Sequence, residues 1–95
     1  MVYNLIEIVK KFIYLVDEVE CVYLFGSILN SKKKANDIDI LLIYSKYTTT
    51  MQKDIKDFKK TVENASGMPV DLTILSIEEE KEVSFLKRIN FLQLK

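Results

Sequence analysis

Residues 24–44 read LFGSILNSKKKANDIDILLIY, and this stretch places two aspartates at the start of an otherwise apolar strand. Successive side chains of a strand point to opposite faces, so Asp37 and Asp39 share one face. The run 40–43 is apolar on both faces, which is typical of a central strand covered on two sides. Two like charges at the edge of such a surface repel each other and lose hydration. The pattern therefore predicts that a cation, and a divalent one in particular, offsets this cost.

Apolar spacing along the rest of the chain predicts the elements that surround this strand. The predicted order is a helix over 5–19, a strand over 21–25, a loop or short helix over 27–36, the strand over 37–44, a helix over 51–65, a strand over 70–75 and a helix from 77 onward. This order predicts one α/β (α+β) domain over residues 1–95, with helices flanking a mixed β-sheet. The tail 91–94 fits either an extension of the last helix or an edge strand, and the pattern does not choose between them.

The ends of the predicted helices carry their own signals. Asn4 and the threonines 48–50 stand where the first and second helices would be capped. Gly67 supplies a left-handed cap at the end of the second helix. Ser76 and Glu79 have the spacing of a capping box, which indicates that the last helix begins there.

Composition excludes several classes of protein. Fourteen basic and fourteen acidic residues leave no net charge to attract nucleic acid, so a nucleic-acid partner is not expected. No apolar run approaches the roughly 20 residues that span a bilayer, and the early charges argue against a signal peptide. The single cysteine, Cys21, cannot form an internal disulfide, which indicates a reducing cytoplasm. Because histidine is absent, Ser-His and Cys-His nucleophiles and histidine-bearing zinc sites are excluded.

A constellation of motifs resembles a known superfamily. Gly26-Ser27 follows a predicted strand, Asp37-Ile38-Asp39 heads the next strand, and Asp71 lies on a later one. This arrangement resembles the DNA-polymerase-beta-like nucleotidyltransferase superfamily, and at this length it looks most like the minimal nucleotidyltransferases of bacteria and archaea. The resemblance covers residues 20 to 75. It implies that Asp37, Asp39 and Asp71 are catalytic and bind metal, and that Gly26 and Ser27 bind the phosphates of the nucleotide.

The chemistry of nucleotidyl transfer is consistent with these roles. Catalysis of such reactions consists mostly of positioning and charge neutralisation. Two Mg²⁺ ions about 4 Å apart, with Mn²⁺ as a substitute, can hold the attacking and leaving oxygens. Asp37 and Asp39, about 7 Å apart along their strand, can bind the two ions jointly. By resemblance, Asp71 holds the metal near the attacking hydroxyl and accepts its proton. Gly26 lets the backbone approach the triphosphate, and Ser27 donates its hydroxyl and N–H.

Each of these residues also has an ordinary structural explanation. Asp37 fits an Asx turn, and Asp71 fits an exposed acid at a strand start. Gly26 fits a turn and Ser27 a helix cap. The lysines 32–34 fit a solvated loop better than a phosphate clamp. The occurrence of all these motifs together, in this order, favours the functional interpretation.

The resemblance implies a metal-dependent enzyme that moves a nucleoside monophosphate from a nucleoside triphosphate, with ATP preferred, to an acceptor hydroxyl. Minimal nucleotidyltransferases often accompany a small helical HEPN protein, and some are antitoxins that nucleotidylate it. We therefore expect a HEPN-type partner protein as the acceptor.

Two alternatives stay open. Family loops often carry an arginine and a second glycine where Ile28-Leu29-Asn30 stands here, which favours a vestigial site in a module that neutralises a toxin by binding alone. Transfer to a small molecule would instead need an acceptor pocket built by a homo-oligomer.

Overall fold

In the computed structural model, which describes residues 2–30 and 35–95, three α-helices flank a mixed four-stranded β-sheet. The elements are α1 (Val2–Phe12), β1 (Cys21–Phe25), β2 (Ile38–Tyr44), α2 (Thr49–Ser66), β3 (Val70–Ser76), α3 (Ile77–Val83) and β4 (Phe91–Gln93). Short 3₁₀ helices cover Ile13–Val16, Gly26–Leu29 and Phe85–Arg88. The predicted α/β (α+β) class is confirmed. No helix within the described ranges is long and apolar enough to cross a membrane.

The sheet has the strand order β3-β2-β1-β4, so the aspartate-bearing strand β2 lies inside it. β2 runs parallel to β3, and β1 is antiparallel to both β2 and β4. The tail forms β4 and does not extend the last helix. Its residues pair with 23–25 of β1. Without β4 this edge of β1 would be unpaired, so the backbone groups of both strands gain hydrogen-bond partners there.

One face of the sheet carries the larger hydrophobic core. Alternate residues of β2, Ile38, Ile40 and Leu42, point to this face and are fully buried. α1 and α2 cover them, and Phe58 of α2 is the largest of the fully buried side chains. Burying side chains of this size contributes about 1.5–3 kcal/mol each, which makes this face the main source of stability.

The opposite face carries a smaller core. Tyr23, Leu41 and Ile43 are buried there, and half-buried side chains of α3 and of the 3₁₀ helix Phe85–Arg88 pack over them. On β2 this core ends at Leu41. The next side chain on the same face, toward the start of the strand, is Asp39. The acidic residues therefore lie where the apolar cover of this face ends.

Most of the predicted helix ends are confirmed. Thr48 caps α2 through its side chain, Gly67 ends that helix with a φ of 72°, and Ser76 and Glu79 form the reciprocal capping box of α3. The prediction of a cap at Asn4 is wrong, because α1 already begins at Val2. Asn4 is exposed within the first turn of α1, where an asparagine costs less than about 1 kcal/mol in helix propensity and is therefore tolerated.

Candidate active site

Asp37, Asp39 and Asp71 come together where β2 and β3 begin. Each offers one carboxylate oxygen, and these oxygens lie within 4.8 Å of one another. Asp39 and Asp71 are register partners across the parallel strands, so their side chains share a face. Asp37 precedes Asp39 by two residues and lies on the same side. Parallel pairing thus joins a carboxylate from a distant part of the chain to the two that the sequence already places together.

Backbone hydrogen bonds beside the cluster hold the two strand starts. Ile38 N–H donates to the carbonyl of Pro69 at 2.9 Å, which ties the start of β2 to the residue before β3. Val70 N–H donates to the Glu63 carboxylate at 2.8 Å, which ties the start of β3 to α2. The two donors, Ile38 and Val70, immediately precede Asp39 and Asp71 in the chain. No sequence pattern indicates this role for Glu63, because a glutamate near a helix end resembles any solvent-facing residue.

Gly26 lies against the carboxylate of Asp39. A Cβ built at Gly26 would overlap the Oδ2 of Asp39 and would lie 3.0 Å from its Cγ. The φ of Gly26 is 80°, in the left-handed region that side chains disfavour. Glycine is therefore required here twice, for its backbone angle and for the close approach of Asp39.

Ser27 follows in the 3₁₀ helix Gly26–Leu29, at the end of β1. Because β1 and β2 are antiparallel, the end of β1 is next to the start of β2, and Gly26-Ser27 stands beside the carboxylates. Ile28 is fully buried in the larger core and Leu29 packs against it. The residues that replace the expected arginine and glycine therefore anchor this turn. The lysines 32–34, for which a phosphate clamp was weighed against a solvated loop, lie outside the described residues.

The electrostatics of the cluster favour a proton or a cation. Burial raises the pKa of the Asp39 carboxyl above its usual range, and the nearby charges of Asp37 and Asp71 and a hydrogen bond with Asp71 raise it further. Among the described residues, no lysine or arginine forms an ion pair with these three carboxylates. Carboxylate oxygens are ligands that Mg²⁺ and Mn²⁺ prefer, so the donor set fits a divalent cation.

Comparison with known proteins relates this arrangement to a family and to solved folds. The family model described as "Polymerase beta, Nucleotidyltransferase" matches residues 4–89. No curated protein sequence matches significantly. One similar structure is the MNT antitoxin in complex with the tri-AMPylated HEPN toxin of Shewanella oneidensis. It is 19% identical with a TM-score of 0.58, and the match covers 96% of this chain and 71% of that one.

A second similar structure comes from Sulfolobus solfataricus and was solved as a candidate nucleotidyltransferase. It is 21% identical with a TM-score of 0.56, and the match covers 97% of this chain and 80% of that one. At these identities the two likenesses concern the fold. Together with the family match, they agree with the observed order of helices and strands around the carboxylate cluster.

Proposed function

Because this chain belongs to the polymerase beta nucleotidyltransferase family, we propose that it transfers a nucleoside monophosphate from a nucleoside triphosphate, with ATP preferred, to a hydroxyl of a partner protein. The observation that carries the proposal is the cluster of Asp37, Asp39 and Asp71, whose oxygens lie within 4.8 Å of one another beside Gly26. Residues 1–95 would then act as one nucleotidyltransferase domain, of which the family model spans 4–89.

The three carboxylates would hold two Mg²⁺ ions, or Mn²⁺ in their place. When bound, such ions neutralise the charge that develops on the phosphate oxygens during transfer. The fit rests on the hard oxygen donors and on the repulsion among Asp37, Asp39 and Asp71, which a cation relieves. Bringing three carboxylates together with no basic partner among the described residues would otherwise only destabilise the fold.

The remaining roles follow from position. Asp71 is the most exposed of the three carboxylates, so an acceptor can reach it from solvent. We assign it to accept the proton of the attacking hydroxyl. The hydroxyl oxygen bonds to the α-phosphorus, and the bond from that phosphorus to pyrophosphate breaks. Ser27 donates hydrogen bonds to the phosphate oxygens, and Gly26 keeps their approach free of a side chain.

The acceptor in this proposal is a HEPN-type protein. The support is the likeness in fold to an MNT antitoxin whose HEPN partner is AMPylated, together with the exposure of Asp71, which lies where the apolar cover of its sheet face ends. An open site admits a side-chain hydroxyl on the surface of another protein. The cytoplasm is the expected setting, in keeping with the free Cys21.

A vestigial module that only binds its partner is the second candidate. The specific observation in its favour is that Ile28 and Leu29 follow Ser27 and pack their side chains into the core, so these side chains offer no donor to a phosphate. The two candidates differ in whether metal and nucleotide bind and react. One pair of measurements therefore separates them.

The first measurement is the melting temperature with and without Mg²⁺ or Mn²⁺ plus ATP. A ligand at ten times its Kd stabilises a protein by about 1.4 kcal/mol, which for a domain of this size raises the melting temperature by roughly 6–11 °C. The double variant Asp37→Asn, Asp39→Asn should stay folded and lose this rise. The matched control is Asp54→Asn, Asp57→Asn on α2, which makes the same change in charge away from the cluster and should keep it.

The second measurement is transfer itself. The protein is incubated with its genomic neighbour, Mg²⁺ and each ribonucleoside triphosphate, and both proteins are weighed by mass spectrometry. A gain of one or more nucleotides on the neighbour, absent with Asp39→Asn, supports the proposal. If metal plus nucleotide does not change the melting temperature of the wild type, the transferase proposal is contradicted and the binding module is favoured. Transfer to a small alcohol, with no gain on any protein, contradicts the choice of acceptor.

A further inference from the structure

A row of neighbouring residues crosses the whole sheet from the carboxylates to the free edge. Asp71 pairs with Asp39, Asp39 with Phe25, and Phe25 with Phe91. Residues directly opposite each other on neighbouring strands point to the same face, so both rings lie on the carboxylate face. Strands are about 4.8 Å apart, which places Phe91 about 10 Å from Asp39 in the plane of the sheet. The acidic cluster therefore continues into an aromatic surface.

The two phenylalanines are held by edge-to-face contacts. The Phe91 ring meets Tyr23 with centroids 5.2 Å apart at 86°, and the Phe25 ring meets Phe85 at 5.3 Å and 83°. Such contacts fix the orientation of a ring. Phe91 is nevertheless 44% exposed. The Phe25 ring is half-buried in the smaller core, so Phe91 is the exposed part of this aromatic row, and its ring is oriented before any ligand arrives.

We propose that Phe91, with Phe25 beside it, forms the stacking platform for the base of the nucleoside triphosphate. This inference rests on the proposed function, because it takes the phosphates to lie at Asp37, Asp39 and Asp71. In a nucleotide the ribose separates the phosphates from the base. In this sheet the strand that carries Phe25 separates Phe91 from Asp39, so phosphates at the carboxylates would leave the base near Phe91. Stacking on an aromatic ring accepts every base, since every base has a π face.

The neighbouring residue Leu92 provides the control that this surface needs. It is 38% exposed, close to the value for Phe91, but it alternates to the other face of β4. Its register partner, Leu24, belongs to the core under α1 and α2. A general role of β4 as an apolar docking edge would involve Leu92 as much as Phe91. A nucleotide bound at the carboxylates would contact only Phe91.

The test compares ATP with inorganic tripolyphosphate, which has the phosphate chain without the nucleoside. Dissociation constants are measured by calorimetry in Mn²⁺ for the wild type, Phe91→Leu, Phe91→Tyr and Leu92→Ala. We expect the wild type to bind ATP about tenfold more tightly than tripolyphosphate, as loss of one base stack implies. Phe91→Leu should bind ATP about tenfold more weakly than the wild type does, and should lose affinity for GTP, CTP and UTP equally. Its dissociation constant for tripolyphosphate should not change. Phe91→Tyr and Leu92→Ala should match the wild type.

The outcomes separate this inference from the proposed function. A wild type that binds neither ATP nor tripolyphosphate overturns both. A wild type that binds both ligands, with Phe91→Leu equal to it for ATP, overturns the platform alone. A parallel loss of ATP and tripolyphosphate in Phe91→Leu also overturns the platform, because it indicates a general disturbance of the site. Weaker binding of a protein partner in both Phe91→Leu and Leu92→Ala, with ATP affinity unchanged, would show that β4 is a docking edge instead.

Discussion

Replacing Gly26 by alanine should disable the carboxylate cluster while leaving the protein folded. The new Cβ would overlap the Oδ2 of Asp39 and lie 3.0 Å from its Cγ, so the carboxylate has to turn away from its present position. Asp39 is half-buried and can rotate toward solvent, which relieves the overlap without moving β2. The substitution should therefore affect metal and nucleotide binding more than stability.

Gly67→Ala is the matched control for this experiment. Gly67 also has a positive φ, 72° against 80° for Gly26, but nothing lies within 4 Å of a Cβ built there. A non-glycine residue in the left-handed region costs about 1–2 kcal/mol, so each variant should melt roughly 4–16 °C below the wild type. Any further difference between the two variants reports on the contact with Asp39.

The displacement of the Asp39 carboxylate sets the size of the effect on the site. Relief of the overlap moves the carboxylate by about 1 Å or more, and a misplacement of that size can cost about 100-fold in rate. We expect Gly26→Ala to lose most of the stabilisation by Mn²⁺ plus ATP and to slow transfer about 100-fold, and Gly67→Ala to keep both. Thermal melts and mass spectrometry of the acceptor measure the two quantities. If Gly26→Ala responds to Mn²⁺ plus ATP as fully as Gly67→Ala does, the close approach of Gly26 to Asp39 has no functional role and the reasoning is refuted.

Three further predictions concern single residues. Because the pKa of Asp39 is raised, the folded protein binds a proton at Asp39 more tightly than the unfolded chain does. This proton binding contributes to the unfolding free energy below the usual aspartate range, and the contribution is lost as pH rises through the raised pKa. Melts of the metal-free protein against pH should show this loss, and a wild-type slope in Asp39→Asn would contradict it. Asp71→Asn should bind ATP within a few fold of the wild type but transfer about 100-fold or more slowly, and full transfer by this variant would mean that the third carboxylate is wrongly assigned. Ser76→Ala removes the capping box of α3, so it should cost about 1 kcal/mol, or roughly 4–8 °C, with the response to metal intact; an unchanged melting temperature would show that the cap is not needed.

Local patterns were sufficient to predict much of this fold. The strand 21–25 was predicted at the bounds that the structure has, and the caps at Thr48, Gly67 and Ser76 depend on residues within one turn of the helix end. Asp37 and Asp39 could be placed on one face from the two-residue period of a strand alone. Signals of this kind are readable because they need only the chemistry of neighbouring residues. The wrong cap at Asn4 shows their limit, since an exposed asparagine is tolerated inside a first turn as well as before it.

Contacts between distant segments were decided only by the tertiary structure. The pairing of Asp71 with Asp39 needs β2 and β3 to be parallel and in one register, which depends on how α2 packs and on the bond from Val70 to Glu63. The tail became β4 because β1 offered an unpaired edge, which no pattern within 91–94 records. The same pairing placed Phe91 on the carboxylate face. Sequence alone determined which side chains each element presents, whereas register and packing decided which of them meet, because those depend on the free energy of the whole chain.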